Sequence, residues 1–271
     1  MLFQDQVAVI TGASSGLGRA TALLFAQEGA ELIITGRKEE ALAETLNALQ
    51  EARTARGLSP REDLMLCADL ASVDDRVRVV EEIKGRLERR AAEGRGAGLH
   101  ALVNSAGVIG TGGVEAVELA DFRAMFEVNV FAVLELMQGL IPALKEAQGA
   151  IVNISSISGL RSFPGLVSYC SSKGALNQIT QCAALDLAPA GVRVNAICPG
   201  VVVTDLHKRG GMSDEAYERF LKHCESTHPL GRVGEADEVA ELIAFLASKR
   251  SGWITGVTMP IDGGRHLTCA R

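Results

Sequence analysis

The stretch Val7-Ala8-Val9-Ile10-Thr11-Gly12-Ala13-Ser14-Ser15-Gly16-Leu17-Gly18 reads as a strand, a glycine-rich turn and the opening of a helix that Arg19 to Glu28 continues. Each glycine has a separate use in such a turn. Gly12 lets the strand bend sharply, Gly16 lets a pyrophosphate approach the backbone, and Gly18 lets helix and strand pack closely. The first N–H groups of a helix lack partners, and that end carries about half a positive charge. Ser14, Ser15, Gly16 and Leu17 are therefore placed to hold a phosphate. A glycine triplet alone is weakly specific; its place between strand and helix makes it a dinucleotide-binding signal.

Working outward, short apolar or β-branched runs recur between longer helical patterns: Val7 to Thr11, Glu31 to Gly36, Leu64 to Ala68, Leu99 to Asn104, Ala150 to Ser155, Val192 to Ile197 and Val257 to Ile261. This alternation predicts an α/β fold, a doubly wound parallel sheet with helices on both faces. Continuous hydrophobicity, as in Ala150 to Ile154, is what a strand buried on both faces requires. No internal repeat or compositional break divides the chain, so one domain over 1–271 is expected. Lys38 to Arg56 is a charged amphipathic helix that Gly57-Leu58-Ser59-Pro60 breaks. The run Lys84 to Arg95, dense in Arg and Glu, reads as a solvated helix end rather than a binding patch. Pro142, inside Phe122 to Lys145, is expected to kink or end that helix because proline donates no hydrogen bond.

A net charge of −6 argues against a nucleic-acid partner, which needs a basic face, and against docking on an acidic carrier; small neutral substrates fit better. Met1 leads into a strand without a basic and apolar leader, and no apolar run approaches a membrane span, so a cytoplasmic protein is expected. Cys67, Cys170, Cys182, Cys198, Cys224 and Cys269 show no C-x-x-C spacing and read as reduced and structural. The five histidines include no H-E-x-x-H pair, so no protein-built metal site is expected.

Dinucleotide-binding folds commonly place an acid about 20 residues beyond the glycines, where it meets a ribose 2′-hydroxyl. This chain has Gly36-Arg37-Lys38 at the end of its second strand. A guanidinium grips a phosphate with paired charge-assisted hydrogen bonds, so Arg37 and Lys38 favour NADP(H) over NAD(H). Asp69, with Leu70 beside it, ends the third strand and is placed either to meet an adenine amino group or to cap the next helix. Asn104-Ser105-Ala106-Gly107 ends the fourth strand with small residues that leave room for a flat ligand. Tyr169 and Lys173, four apart, share one helix face. A nearby ammonium favours phenolate, so one well-placed lysine can lower a phenol pKa by about a unit.

Together, Thr11-x-x-x-Gly16-x-Gly18, Asn104-x-Ala106-Gly107, Asn129, Ser156, Tyr169-x-x-x-Lys173 and Pro199-Gly200 resemble the short-chain dehydrogenase/reductase family from about residue 3 to Gly264. The resemblance implies a Rossmann fold with strand order 3-2-1-4-5-6-7 and a catalytic set of Asn129, Ser156, Tyr169 and Lys173. Tyr169 would relay the proton and Ser156 would polarise the substrate oxygen. Lys173 would hold the nicotinamide ribose and Asn129 would position a water. Ser156 is preferred to Ser155 because the family's serine lies thirteen residues before the tyrosine. Pro199, Gly200, Val202 and Thr204 match positions near the nicotinamide carboxamide, and Asp262-Gly263-Gly264 is also family-like. Ser105 replaces the commoner second asparagine, and Leu99-His100-Ala101 lacks the usual aspartate.

The expected activity is NADP(H)-dependent interconversion of a carbonyl compound and a secondary alcohol. NAD(H) use, on an alcohol, steroid or sugar, is the alternative. A 3-oxoacyl-carrier-protein reductase is disfavoured because Glu146-Ala147 and Pro189-Ala190 stand where such enzymes carry basic residues. A nucleotide-binding redox sensor or scaffold would not need the proton relay. Residues 205–229 are expected to form a substrate lid, with Gly210-Gly211 as a hinge. The family implies a homotetramer or homodimer.

Overall fold

Burial decides the strands. Every residue of β1 (Val7–Ile10), β4 (Ala101–Asn104) and β5 (Ala150–Ile154) is buried, as strands covered on both faces must be. With β2 (Glu31–Gly36), β3 (Leu64–Cys67), β6 (Arg193–Pro199) and β7 (Thr258–Ile261) they form one parallel sheet in the order β3-β2-β1-β4-β5-β6-β7. This is the implied Rossmann order, and the strand ends lie within a residue or two of the expected runs. The structure is a computed structural model and describes residues 1–268. Cys269, read above as structural, lies outside the described residues.

The helices are α1 (Gly16–Gln27), α2 (Glu39–Ala55), α3 (Val73–Ala92), α4 (Leu119–Phe126), α5 (Ala132–Ala147), α6 (Val167–Leu187), α7 (Leu206–Arg209), α8 (Asp214–Thr227) and α9 (Ala236–Ala247). Phe25, Leu42, Leu49 and Ile243 of α1, α2 and α9 fill the core on one face of the sheet. Ile83, Leu87, Leu136, Leu140 and Leu176 of α3, α5 and α6 fill the other. Burying each such side chain contributes about 1.5–3 kcal/mol. Because β1 pairs with β2 on one side and β4 on the other, the chains leaving β1 and β4 diverge. The crevice above their carboxyl ends is where such folds bind ligands.

The solvated reading of Lys84 to Arg95 is corrected for two of its arginines. Arg86 Nη2 donates to Glu31 Oε1 at 2.6 Å and Arg90 Nη1 to Glu31 Oε2 at 3.0 Å, and Arg95 Nη2 bonds the same carboxylate. Glu31 is 1% exposed and Arg90 2%. The start of β2 lies beneath the inward face of α3 and supplies an acid there, which no local pattern could reveal.

Pro142 does not end its helix. It lies inside α5, on a side where both Pro142 and Gln138, the residue whose carbonyl it cannot bond, are exposed. The irregularity falls earlier, in a π turn over Glu127–Phe131 that joins α4 to α5. By length and composition alone the continuous stretch Leu119–Ala147 is long and apolar enough to cross a membrane. Here it packs Val133, Leu136, Leu140 and Leu144 into the core and directs Glu127 and Glu135 to the buried Arg76. The described cysteines are free, as expected, but the structural reading is corrected: Cys198 and Cys224 are buried, Cys170 is half-buried, and Cys67 and Cys182 are exposed.

His100 stands where the family aspartate was expected, and its Nδ1 accepts the Val7 N–H at 3.2 Å, which requires that nitrogen to be unprotonated. Burial lowers the His100 pKa below 6.5, and His207 and His228 are lowered for the same reason. A histidine with a depressed folded pKa contributes stability above its unfolded value of about 6.5 and loses it as the pH falls through the folded value. Thermal stability is therefore expected to decline from about pH 7 to pH 5. His100→Asn, whose amide oxygen accepts the same bond without titrating, is expected to flatten part of that decline. Parallel pH profiles of melting temperature for the two proteins would remove His100 from this account.

Candidate active site

The crevice is a cavity of about 780 Å³. Strand order lays out its lining: Asp69 and Leu70 after β3, Arg37 and Lys38 after β2, the glycine turn after β1, Ala106 and Gly107 after β4, Ser156 after β5, Pro199 at the end of β6 with Gly200 after it, and Arg265 after β7. Tyr169 and Lys173 of α6, with Val202 and Thr204, close the side near β5 and β6.

The turn is built as its glycines suggest. Gly12 has φ +68°, and a Cβ there would lie 2.8 Å from Ala106 Cα; a Cβ on Gly18 would lie 2.4 Å from the Gly12 carbonyl oxygen. Gly16 has φ +52°, and the atom nearest a Cβ there is Thr204 Cγ2 at 3.2 Å. Thr11 ties the β1 and β4 loops together, its Oγ1 accepting the N–H groups of Ser105 and Ala106 at 3.0 Å each. The Ser15 side chain does not cap α1, and the first turn of α1 holds no acid. A glycine cradle beside an uncapped helix N-terminus fits the diphosphate of a dinucleotide.

Gly36 faces this loop, since a Cβ there would lie 3.0 Å from Ser14 Oγ. Arg37 and Lys38 are exposed at the mouth. Asp69 Oδ1 accepts the Ala71 N–H at 3.1 Å, while the residue that caps α3 is Ser72. The capping alternative for Asp69 is therefore set aside. Leu70 is held from below, its carbonyl accepting Arg76 Nη1 at 2.9 Å.

Two expected site residues do not line the crevice. Asn104 is 1% exposed and its Nδ2 donates to Asn153 Oδ1 at 2.8 Å, while Asn153 donates to Thr180 Oγ1 at 2.9 Å. Its side chain lies on the sheet face it shares with its register partner Asn153, under Thr180 of α6, because the pleat alternates faces. Asn129, in the π turn, lies behind the wall: its Oδ1 accepts the Val108 N–H at 2.9 Å, and its Nδ2 donates to the Val108 carbonyl and Ser172 Oγ. Its amide donors are thus engaged, one with the loop after β4 and one with α6.

Around the tyrosine, Ser155 Oγ donates to the Lys173 carbonyl at 3.2 Å, whereas Ser156 Oγ accepts the Ser158 N–H at 3.1 Å and keeps its proton to donate. Lys173 Nζ donates to the Ile154 carbonyl at 2.8 Å and lies 5.8 Å from the centre of the Tyr169 ring. The expected lowering of the phenol pKa is corrected. Burial pushes Tyr169 up to about 12, with the Ser156 hydroxyl opposing the rise. Burial likewise lowers Lys173 to about 8. Loss of hydration outweighs the lysine at that separation.

Beyond the tyrosine the lining includes Val108, Phe163, Leu166, His207, Met212 and Phe220. His207 packs on Phe220 with ring centres 4.7 Å apart, and Tyr217 bonds both the N–H and the carbonyl of Thr204. Arg209, from α7, reaches Ser15 Oγ across the mouth. Residues 205–229 were expected as a lid, but none of these side chains was singled out from sequence, since nothing local marks which residues of that segment, or of the loops after β4 and before α6, face the crevice.

Fold and crevice together define a Rossmann-type α/β protein with a ligand crevice at the carboxyl ends of its strands. The sequence model described as Enoyl-(Acyl carrier protein) reductase matches residues 12–266. A 3-oxoacyl-[acyl-carrier-protein] reductase of Thermotoga maritima is 35% identical, covering 97% of this chain and 99% of its own. A meso-2,3-butanediol dehydrogenase of Serratia marcescens is 33% identical, covering 97% and 96%. Among solved structures, a short-chain dehydrogenase/reductase of unknown function from Caenorhabditis elegans, determined with cofactor, superposes with a TM-score of 0.88 at 32% identity, covering 100% of this chain and 98% of its own. The chain belongs to the short-chain dehydrogenase/reductase family.

Proposed function

We propose that this protein is a single-domain NADP(H)-dependent oxidoreductase that interconverts a carbonyl compound and a secondary alcohol. The observation that carries the reading is that Ser156, Tyr169 and Lys173 share one cavity with an uncapped, glycine-lined helix N-terminus. The glycine turn would hold the diphosphate, Arg37 and Lys38 the 2′-phosphate, Asp69 and Leu70 the adenine, and Ala106, Gly107, Lys173, Pro199, Gly200, Val202 and Thr204 the nicotinamide half. When bound, the nicotinamide supplies or accepts the hydride.

The chain's own groups manage the proton. With its pKa near 12, Tyr169 holds its proton at neutral pH and donates it to an oxygen that becomes an alkoxide. Ser156 donates a hydrogen bond to the same oxygen. In the oxidative direction Tyr169 must give up its proton, and the Lys173 charge favours the phenolate that results. Asn129 holds Val108, and any water relay would run past its main chain. Residues 205–229 serve as the lid. Cytoplasmic residence and a homodimer or homotetramer complete the proposal. Carrier-protein substrates are disfavoured by Glu146 and Pro189, and a non-catalytic sensor would have no use for the proton-handling residues.

A panel of ketones, diketones, sugars and steroids assayed with NADPH and NADH tests the reading. No turnover with any of them would overturn it. Arg37→Ala is expected to weaken NADPH by roughly ten- to a hundredfold, the scale of a hydrogen bond to a charged group, and to leave NADH nearly unchanged. Adding Gly36→Asp is expected to reverse the preference by repelling the phosphate and offering NADH a hydroxyl partner. That aspartate must also displace the Ser14 side chain, whose Cβ would lie 3.1 Å from the new Cβ. Should kcat/KM for the two cofactors fall equally in Arg37→Ala, Arg37 does not read the phosphate.

A further inference from the structure

The chain carries a net charge of −6, yet the cavity is cationic. Arg37, Lys38, Lys173, Arg209 and Arg265 line it, against Asp69 as the one carboxylate among its lining residues. Resting on the reading above, the cofactor accounts for Arg37, Lys38 and Lys173, and Arg209 already bonds Ser15 in the glycine turn. Arg265 remains. It follows β7, past the β5 and β6 ends that carry Ser156 and Gly200, at the far side of the crevice from the glycine turn.

Its surroundings leave it unneutralised. No ion pair to Arg265 occurs among the described residues, and its Nη1 is buried without a hydrogen-bond partner. Asp262, the nearest acid in sequence, is engaged in its own turn: Oδ1 accepts the Gly264 N–H at 3.0 Å, and Oδ2 takes the N–H of His266 at 2.6 Å and its ring nitrogen at 2.8 Å. The Arg265 guanidinium lies 5.5 Å from the centre of the Phe163 ring, and Arg161 lies 5.4 Å from the same centre. Arg161 also bonds the Arg265 carbonyl, which fixes the main chain of the turn. A guanidinium over a ring and held at its backbone is pre-ordered, and with Nη1 walled off, the edge left for a planar, two-oxygen acceptor is that of Nε and Nη2. Arg265 is half-buried with no acid paired to it among the described residues, so a ligand that supplies the anion is favoured there.

We propose that Arg265 receives the carboxylate of the substrate, and that the substrate class is therefore an oxo acid or its hydroxy acid rather than a neutral carbonyl compound. The neutral-substrate expectation drawn from net charge fails on this reading, because total charge does not report the potential inside a cleft.

The test pairs oxo acids of increasing chain length with their methyl esters. Wild type is expected to favour the acid by roughly ten- to a hundredfold in kcat/KM at the best length, with the difference in KM. Arg265→Gln is expected to lose that preference while reducing the esters as wild type does, and Arg265→Lys to recover part of it. Calorimetric binding of a saturated carboxylic acid and its amide, with and without cofactor, reads the cation without turnover; wild type should bind the acid more tightly and Arg265→Gln should not distinguish the two. Equal losses for acids and esters in a folded Arg265→Gln, or no acid preference in wild type, would overturn the assignment while leaving the reductase reading intact. Turnover of no carbonyl compound, together with selective acid binding that depends on Arg265, would instead retain the anion site and overturn the reductase reading.

Discussion

Tyr169→Phe is expected to reduce kcat for carbonyl reduction by about 10²–10⁴-fold, the contribution typical of a positioned general acid. The substitution removes one hydroxyl and keeps the ring, which is 7% exposed and packed beside Lys173, so folding and cofactor affinity should be preserved. Because burial raises the phenol to about 12, wild type carries the proton across the neutral range, and the loss should be nearly constant there. The measurements are kcat at saturating cofactor and substrate, and cofactor binding by fluorescence titration. Near wild-type kcat in the variant would mean that another group donates the proton. A parallel loss of cofactor affinity would mean that the hydroxyl serves binding.

The second large effect concerns stability. Glu31→Ala removes the carboxylate on which Arg86, Arg90 and Arg95 converge; Arg86 and Arg95 keep the exposed Glu62, but the buried Arg90 is left without its anion. Breaking a buried pair by deleting one partner costs about 3–5 kcal/mol, far more than losing an exposed pair. For a domain of this size each kcal/mol lowers the melting temperature by roughly 2–4 °C, so a fall on the order of 10 °C is expected. Glu31→Gln, which keeps the shape and some of the hydrogen bonds, should fall in between. Denaturant melts of the three proteins measure this. A loss in Glu31→Ala within about 1 kcal/mol of wild type would show that water compensates the arginines.

The features legible in the sequence are those whose parts lie close together along the chain. Strand, turn and helix in Val7 to Gly18 are contiguous, so the positive φ of Gly12 and the close packing at Gly18 follow from local sterics. Tyr169 and Lys173 lie on one helix, and continuous hydrophobicity in β1, β4 and β5 announced a sheet covered on both faces. The order of the strands was implied by the family resemblance, not by any spacing.

What tertiary structure decided involves distant partners or burial. Glu31 meets arginines 55 and 59 residues away, so two arginines of a run that is otherwise solvated prove to be buried. Asn104 turns to Asn153, 49 residues on, and leaves the crevice. The sign of the Tyr169 shift depended on how much water the surrounding fold excludes, and exclusion outweighed the lysine. Charge summed along the chain is negative, but the fold gathers cations into one cavity and seats Arg265 beside Phe163, more than a hundred residues earlier in the chain. Local chemistry is written residue by residue, whereas potential and desolvation belong to the arrangement in space.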